Sequence, residues 1–143
     1  MKYTTNLLLH FLIFSSTVIF LVQARTCFRN TVMRVYVVNA LPQNSPPLFL
    51  HCASGDDELG NHTLTVGQNF NFKFCISVFK HTLFFCHLWW ENKNIAFDVY
   101  NYKFDHKCAK KFDGGVCYWE ARSDGIYISK DYPPEYFKKE YSW

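Results

Sequence analysis

Beyond its first two dozen residues the chain has no helical spacing of apolar residues, no internal repeat and no low-complexity tract. Without apolar positions recurring every three to four residues, an amphipathic helix has no face to bury. Also missing are a Gly-x-Ser-x-Gly elbow, a phosphate-cradling glycine loop and a His-Glu-x-x-His pair, so the common hydrolase, nucleotide and zinc-protease chemistries have no footing here. No two cysteines stand at the short spacing of a zinc knuckle, and neither a metal nor a cofactor is expected. Excess charge is lacking too. Fifteen Lys and Arg face 12 Asp and Glu, a formal net charge of +3. That is too small, and the bases too scattered apart from Lys107, Lys110 and Lys111, to indicate nucleic acid or an anionic membrane as partner.

The N-terminus has the form of a secretory leader. Lys2 gives a positive start, residues 7–22 are largely apolar, and Val22-Gln23-Ala24 places small residues at the cleavage positions. Ser15, Ser16 and Thr17 interrupt the apolar run, which argues against a membrane anchor. The expectation is a signal peptide over residues 1–24 and a secreted domain over residues 25–143, with no stable membrane insertion once the leader is removed. That product holds 14 basic and 12 acidic residues. It suits one domain of ordinary size.

All six cysteines, Cys27, Cys52, Cys75, Cys86, Cys108 and Cys117, follow the leader. An even number in a short exported chain reads as a disulfide framework, because that compartment oxidises thiols and small domains need the added constraint. Spacing leaves the pairing open.

Period-two alternation dominates what remains. Residues 69–75 set Phe70, Phe72 and Phe74 on one face and Asn69, Asn71 and Lys73 on the other, a pattern that settles only as a strand with one buried face. Val35 and Val37 share a face, as do Leu48, Leu50 and Cys52, with Phe49 and His51 opposite. Residues 82–90 are apolar on both faces, which predicts a central strand covered on each side. They should form a hairpin with residues 95–102, and residues 117–122 another with residues 126–129, turned by Asp124-Gly125. About eight short strands with turn chemistry between them predict an all-β, antiparallel β-sandwich with its core over residues 34–129. Residues 130–143, with Pro133-Pro134 and no period, read as a loosely attached tail. Fifteen Phe, nine Tyr and four Trp supply the core, each buried ring removing roughly 150–250 Å² from water. Trp89, Trp90 and Trp119 are assigned to it.

The remaining polar residues give no catalytic constellation. Histidines 51, 62, 81, 87 and 106 are available as bases, with Lys80, Lys107 or Lys110 to stabilise charge, yet no spacing requires them to meet. Asp56, Asp57 and Glu58 sit between Gly55 and Gly60. Three acids cannot furnish the roughly six to eight oxygens that calcium takes, so they read as turn formers bonded to nearby amides. Asn61-His62-Thr63 is a glycan acceptor sequence just past that turn, and marks Asn61 for glycosylation.

The stretch Leu48-Phe49-Leu50-His51-Cys52-Ala53-Ser54-Gly55-Asp56-Asp57-Glu58-Leu59-Gly60-Asn61-His62 is followed by Thr82-Leu83-Phe84-Phe85-Cys86, Phe97-Asp98-Val99-Tyr100, Cys117-Tyr118-Trp119-Glu120 and Asp124-Gly125. In that order, over roughly residues 34–129, these segments resemble the plant self-incompatibility protein family. The resemblance implies that Cys52, Cys86, Cys108 and Cys117 form two bridges, leaving Cys27 and Cys75 to form a third, stay free or link two chains. The chain departs from the family pattern in lacking a cysteine after Gly125, in its long segment at residues 109–116, and in Cys27 and Cys75 themselves.

The resemblance further implies a secreted plant signalling ligand for cell–cell recognition, with a cell-surface receptor protein as partner and a place in reproduction. It implies neither enzyme activity nor nucleic-acid binding, and a monomer is expected. Specificity would lie in the loops at residues 42–47, 55–61, 77–81, 91–94 and 107–115. The competing reading is a secreted defence or carbohydrate-binding protein that would present several coplanar tryptophans.

Overall fold

The computed structural model describes residue 27 and residues 31–76, 81–111 and 114–143. The expected leader, residues 77–80 of one expected loop and residues 112–113 of another lie outside them. Ten strands form among the described residues: β1 Val32–Asn39, β2 Leu48–Ser54, β3 Glu58–Leu64, β4 Asn69–Cys75, β5 Leu83–Trp90, β6 Lys93–Asn101, β7 Ala109–Lys111, β8 Gly114–Arg122, β9 Gly125–Ser129 and β10 Phe137–Tyr141. A 3-10 turn, Tyr102–Lys107, follows β6. One sheet runs β10-β9-β8-β1-β4, with β7 also on β8; the other runs β3-β2-β5-β6.

The alternation in sequence places the core between these sheets. Val35, Val37, Trp119, Ile126 and Ile128 face Leu48, Leu50, Cys52, Cys86, Leu88 and Val99, all of them essentially sealed from solvent. Trp119 joins the layers directly. Its ring packs 5.0 Å from Phe97, and its Nε1 donates to the Val99 carbonyl at 2.9 Å. Buried Asn39 makes a second tie, its Nδ2 donating to the Leu64 carbonyl at 2.9 Å while its Oδ1 accepts from the Leu41 amide. On β4 the phenylalanine face meets the opposing sheet, with Phe72 and Phe74 at 5.0 and 4.5 Å from Phe84.

Three features differ from expectation. There are ten strands among the described residues rather than about eight, because residues 109–111 and 114–116 form β7 and the start of β8, paired with each other, and residues 137–141 form β10. The sheets are not purely antiparallel: β1 runs parallel to β8 from Val32↔Gly114 to Asn39↔Ala121. Such a pairing needs a long crossover, and here the other sheet lies between the two strands in sequence. Finally, residues 130–143 are no loose tail. β10 pairs with β9, Tyr141 packs at a tilt beside Phe97, ring centres 5.3 Å apart, and Trp143 donates to the Arg122 carbonyl at 2.7 Å. Glu140, its side chain only 12% exposed, forms an ion pair with Lys107 that ties β10 to the 3-10 turn.

Both expected hairpins form, with tighter turns. Trp90↔Lys93 leaves only Glu91 and Asn92 between β5 and β6, Glu91 taking a positive φ of 52°. Arg122↔Gly125 leaves Ser123 and Asp124 between β8 and β9. Gly125 therefore opens a strand rather than completing the turn. Its missing side chain matters because a Cβ there would collide with the Tyr141 carbonyl of β10.

Removing the inter-sheet ring should be costly. Trp119→Ala is expected to lose about 3–5 kcal/mol in denaturant unfolding, whereas Tyr136→Ala, at a 77% exposed site, should stay within about 0.5 kcal/mol; equal losses would contradict the packing. The Lys107 ammonium holds the Glu140 carboxyl below the ordinary value of 4.5. A depressed carboxylate stabilises the fold above its unfolded value, and that contribution disappears as pH falls through the folded one. The stability gap between wild type and Glu140→Gln should hold near neutrality and shrink in urea titrations below pH 4.5, while a gap constant with pH would remove the ion pair from the account.

Candidate functional site

The inward residues of β2 and β5 fix what their outward residues do. Cys52 and Cys86 stand opposite each other in the register and are joined on the core side. Neighbours along a strand point to opposite faces, so the positions flanking each cysteine are held on the outer side. Opposed pairs follow across that outer face: Phe49 with Trp89, His51 with His87, and Ala53 with Phe85. Strand β3 extends the rows with Thr63, Asn61 and Glu58, and β6 extends them with Asn94, Ala96 and Asp98.

This face is apolar and uncovered. Phe49 is 51% exposed, and Leu83, Phe85 and Trp89 are 36–38% exposed. They are four of the seven large apolar side chains exposed among the described residues. The expectation that β5 is covered on both sides is therefore corrected: Phe84, Cys86, Leu88 and Trp90 are inside, and the alternate residues look out. The expected core role holds for Trp119 and Trp90 but not for Trp89. Nothing in β5 alone marks the open side. The signal lay in β2, where Phe49 and His51 already opposed the buried Leu48, Leu50 and Cys52.

Polar groups fix the middle of the face. His51 Nε2 lies 2.6 Å from Glu58 Oε1, the same oxygen that accepts the Gly60 amide at 3.0 Å. The Gly60 amide first, then His51, hold the Glu58 carboxyl below its usual range. Gly60 takes φ 80°, where glycine carries no steric penalty, and it sits at a register shift between β2 and β3. The Glu-Leu-Gly segment is thus a small bulge whose carboxylate grips one backbone amide and one imidazole. His87 stacks on Trp89 with ring centres 3.8 Å apart, and its Nε2 donates to Asn94 Oδ1 at 3.1 Å.

In the acidic turn, beside the bond from the Gly60 amide to Glu58, Ser54 Oγ accepts the amides of Asp56 and Asp57 at 3.3 and 2.9 Å. No three His, Cys, Asp or Glu side chains among the described residues gather as a metal cage.

Of the five histidines, only His51 and His87 are brought together. His62 stacks on Phe70 and donates to the Leu59 carbonyl, His81 stacks on Tyr102, and His106 lies exposed in the 3-10 turn. Lys107, one of the lysines available to stabilise charge, is paired with Glu140. Asn61 is exposed in strand β3 opposite His51, at the rim of the same face. All six cysteines are paired: Cys52–Cys86 and Cys108–Cys117, with Cys27–Cys75 as the third bridge.

Two packed sheets cross-linked by three disulfides define a small disulfide-stapled β-sandwich domain. Residues 34–143 match the sequence profile described as plant self-incompatibility protein S1, and the chain belongs to that family. Among its relatives, S-protein homolog 29 of Arabidopsis thaliana is 36% identical over 119 residues, covering 81% of this chain and 79% of the relative. S-protein homolog 2 of the same plant is 36% identical over 95 residues, covering 66% of this chain and 59% of the relative. Self-incompatibility protein S1 of Papaver rhoeas is 35% identical over 88 residues, 59% of each chain. The chain spans about three fifths of the length of several of these relatives. No solved structure matches it.

If the Cys52–Cys86 bridge locks this register, its loss should outweigh loss of the short Cys108–Cys117 loop. With separations of 34 and 9 residues, chain entropy predicts costs of roughly 4 and roughly 2.5 kcal/mol. Paired Cys→Ala variants compared by urea unfolding check this order, and the reverse order would contradict it.

Proposed function

We propose that the protein is a secreted plant recognition ligand whose outer face on the β3-β2-β5-β6 sheet engages a cell-surface receptor. Family membership supports a role in plant reproduction or recognition. The observation that carries the receptor reading is the apolar stripe of Phe49, Leu83, Phe85 and Trp89, exposed on a sheet whose other face is already filled with core. Contiguous exposed apolar surface rimmed by polar groups characterises protein-binding sites, and Trp and other large aromatics dominate their energetics.

The loops are less suited to the task than their sequences imply. The 91–94 segment contains a two-residue turn, residues 58–61 belong to β3, and residues 109–111 and 114–115 belong to a hairpin. Among the described residues, the 42–47 segment remains a connection, turned at Gln43 and Asn44 and closed by the Ser45 amide donating to the Pro42 carbonyl at 3.1 Å. A glycan on Asn61 would stand at the rim of the face and shield the edge of β3, a strand edge otherwise open to pairing.

The defence or carbohydrate-binding alternative called for several coplanar exposed tryptophans. Trp119 and Trp90 are inside and Trp143 is half-buried, which leaves Trp89 alone. Among the described residues no helix is long and apolar enough to cross a membrane.

Labelled, oxidised protein should bind intact plant cells saturably. Phe49→Ser/Trp89→Ser should weaken that binding at least about 30-fold, the effect of losing a hot-spot residue, while its unfolding midpoint stays close to wild type. Undiminished binding by a folded double variant would refute the assignment of this face.

A further inference from the structure

The opposite outer face, on the larger sheet, carries a cluster of tyrosines. Tyr36 of β1 and Tyr118 of β8 are register partners, their rings 5.7 Å apart and inclined at 34°. Tyr132 reaches the same place from the connection between β9 and β10, 96 residues along the chain from Tyr36. Its ring lies 5.7 Å from that of Tyr36 at only 21°, and the Tyr132 hydroxyl donates to the Tyr36 hydroxyl at 3.3 Å. The Lys111 ammonium, 4.2 Å from the centre of the Tyr132 ring, helps to hold it there. Tyr132 is exposed and Tyr36 partly so. Among the described residues, tyrosine rings pack against one another in this cluster alone.

The three rings are not equivalent. Accepting hydrogen bonds from Tyr132 and then Arg34 holds the Tyr36 hydroxyl below the usual phenol range. A phenol that ionises more easily is also oxidised more easily, because the electron leaves together with the proton. Burial first, then Glu120, pushes the Tyr118 hydroxyl above that range. The Tyr118 ring also stands farther from Tyr132 and at a steeper angle, 6.4 Å and 50°.

We propose that Tyr36 and Tyr132 are a site of oxidative cross-linking, joined ring to ring when a haem peroxidase and hydrogen peroxide act on the folded protein. Each phenol gives up one electron and one proton, which leaves two tyrosyl radicals. A carbon–carbon bond forms between ring carbons ortho to the hydroxyls. The hydrogens on those two carbons move to the oxygens, restoring both phenols as a dityrosine. The two electrons and two protons reduce one hydrogen peroxide to two waters. Rings already in contact react at a far higher effective concentration than rings on separate molecules. Tyr36 is set by the β1 ladder, whereas Tyr132 lies outside both flanking strands, so its ring is the one that closes the remaining gap. Three disulfides suit an oxidising compartment, where such an oxidant can act. The product ties the segment before β10 to β1 through a bond that thiols cannot reduce.

The test treats the dilute, disulfide-bonded protein with a haem peroxidase and one equivalent of hydrogen peroxide, while a parallel reaction on N-acetyltyrosine shows that the oxidant is active. The monomer should lose the mass of two hydrogen atoms and gain dityrosine fluorescence. After reduction and digestion, one cross-linked product should contain Tyr36 and Tyr132. Tyr36→Phe and Tyr132→Phe should each lower the monomeric yield at least about tenfold. Tyr118→Phe should leave it close to wild type, and so should Tyr136→Phe, which removes the far more exposed ring. Circular dichroism and the unfolding midpoint confirm that each variant folds. Dityrosine formed only between molecules, a cross-link mapped to Tyr118 or Tyr136, or none while N-acetyltyrosine couples, would overturn the proposal. Phe49 and Trp89 lie on the other sheet, so neither result bears on receptor binding.

Discussion

The covalent link between Cys52 and Cys86 is the constraint from which the outer face of the smaller sheet follows. It joins two directly opposed residues on the buried side of the smaller sheet. Sliding one strand by one residue would turn its cysteine outward and bring its outer residues, Phe49 and His51 on β2 or His87 and Trp89 on β5, into the core. The bridge and the hydrophobic pattern select one register, and that register sets the imidazoles opposite each other and Phe49 opposite Trp89. Inside and outside are consequences of the same pairing.

A sandwich ordinarily hides one face of each sheet and leaves the other to solvent. Here the two solvent faces have diverged. The smaller sheet presents aromatic and aliphatic side chains around a histidine pair, whereas the larger presents a cluster of tyrosines. Trp119, Asn39 and the Lys107–Glu140 pair hold the layers and the C-terminal strand together, so both surfaces rest on rigid elements. Rigidity matters for recognition, since each side chain that must be ordered on binding detracts from affinity.

Much of this architecture was legible in the sequence, for definite physical reasons. The β4 alternation of Phe70, Phe72 and Phe74 with Asn69, Asn71 and Lys73 specified a one-sided strand, and both hairpins lay between short polar turns. The parallel meeting of β1 and β8 left no local trace, because nothing in either strand encodes a partner some 80 residues away. Strand β10 was hidden by irregular pairing: its register shifts between Lys139 and Tyr141, which breaks the period that identifies a strand. The apolar second face of β5 was visible, but hydrophobicity alone reads as burial. Only the pairing with β2, which has Phe49 and His51 on the same side, reveals it as a surface.

The most direct test of this register is nuclear magnetic resonance of the oxidised protein with a soluble paramagnetic probe. Cross-strand contacts should connect Phe49 with Trp89 and His51 with His87, and the probe should broaden the Trp89 ring signals while sparing those of Trp119. Contacts displaced by one residue, or a Trp89 ring as protected as that of Trp119, would contradict it.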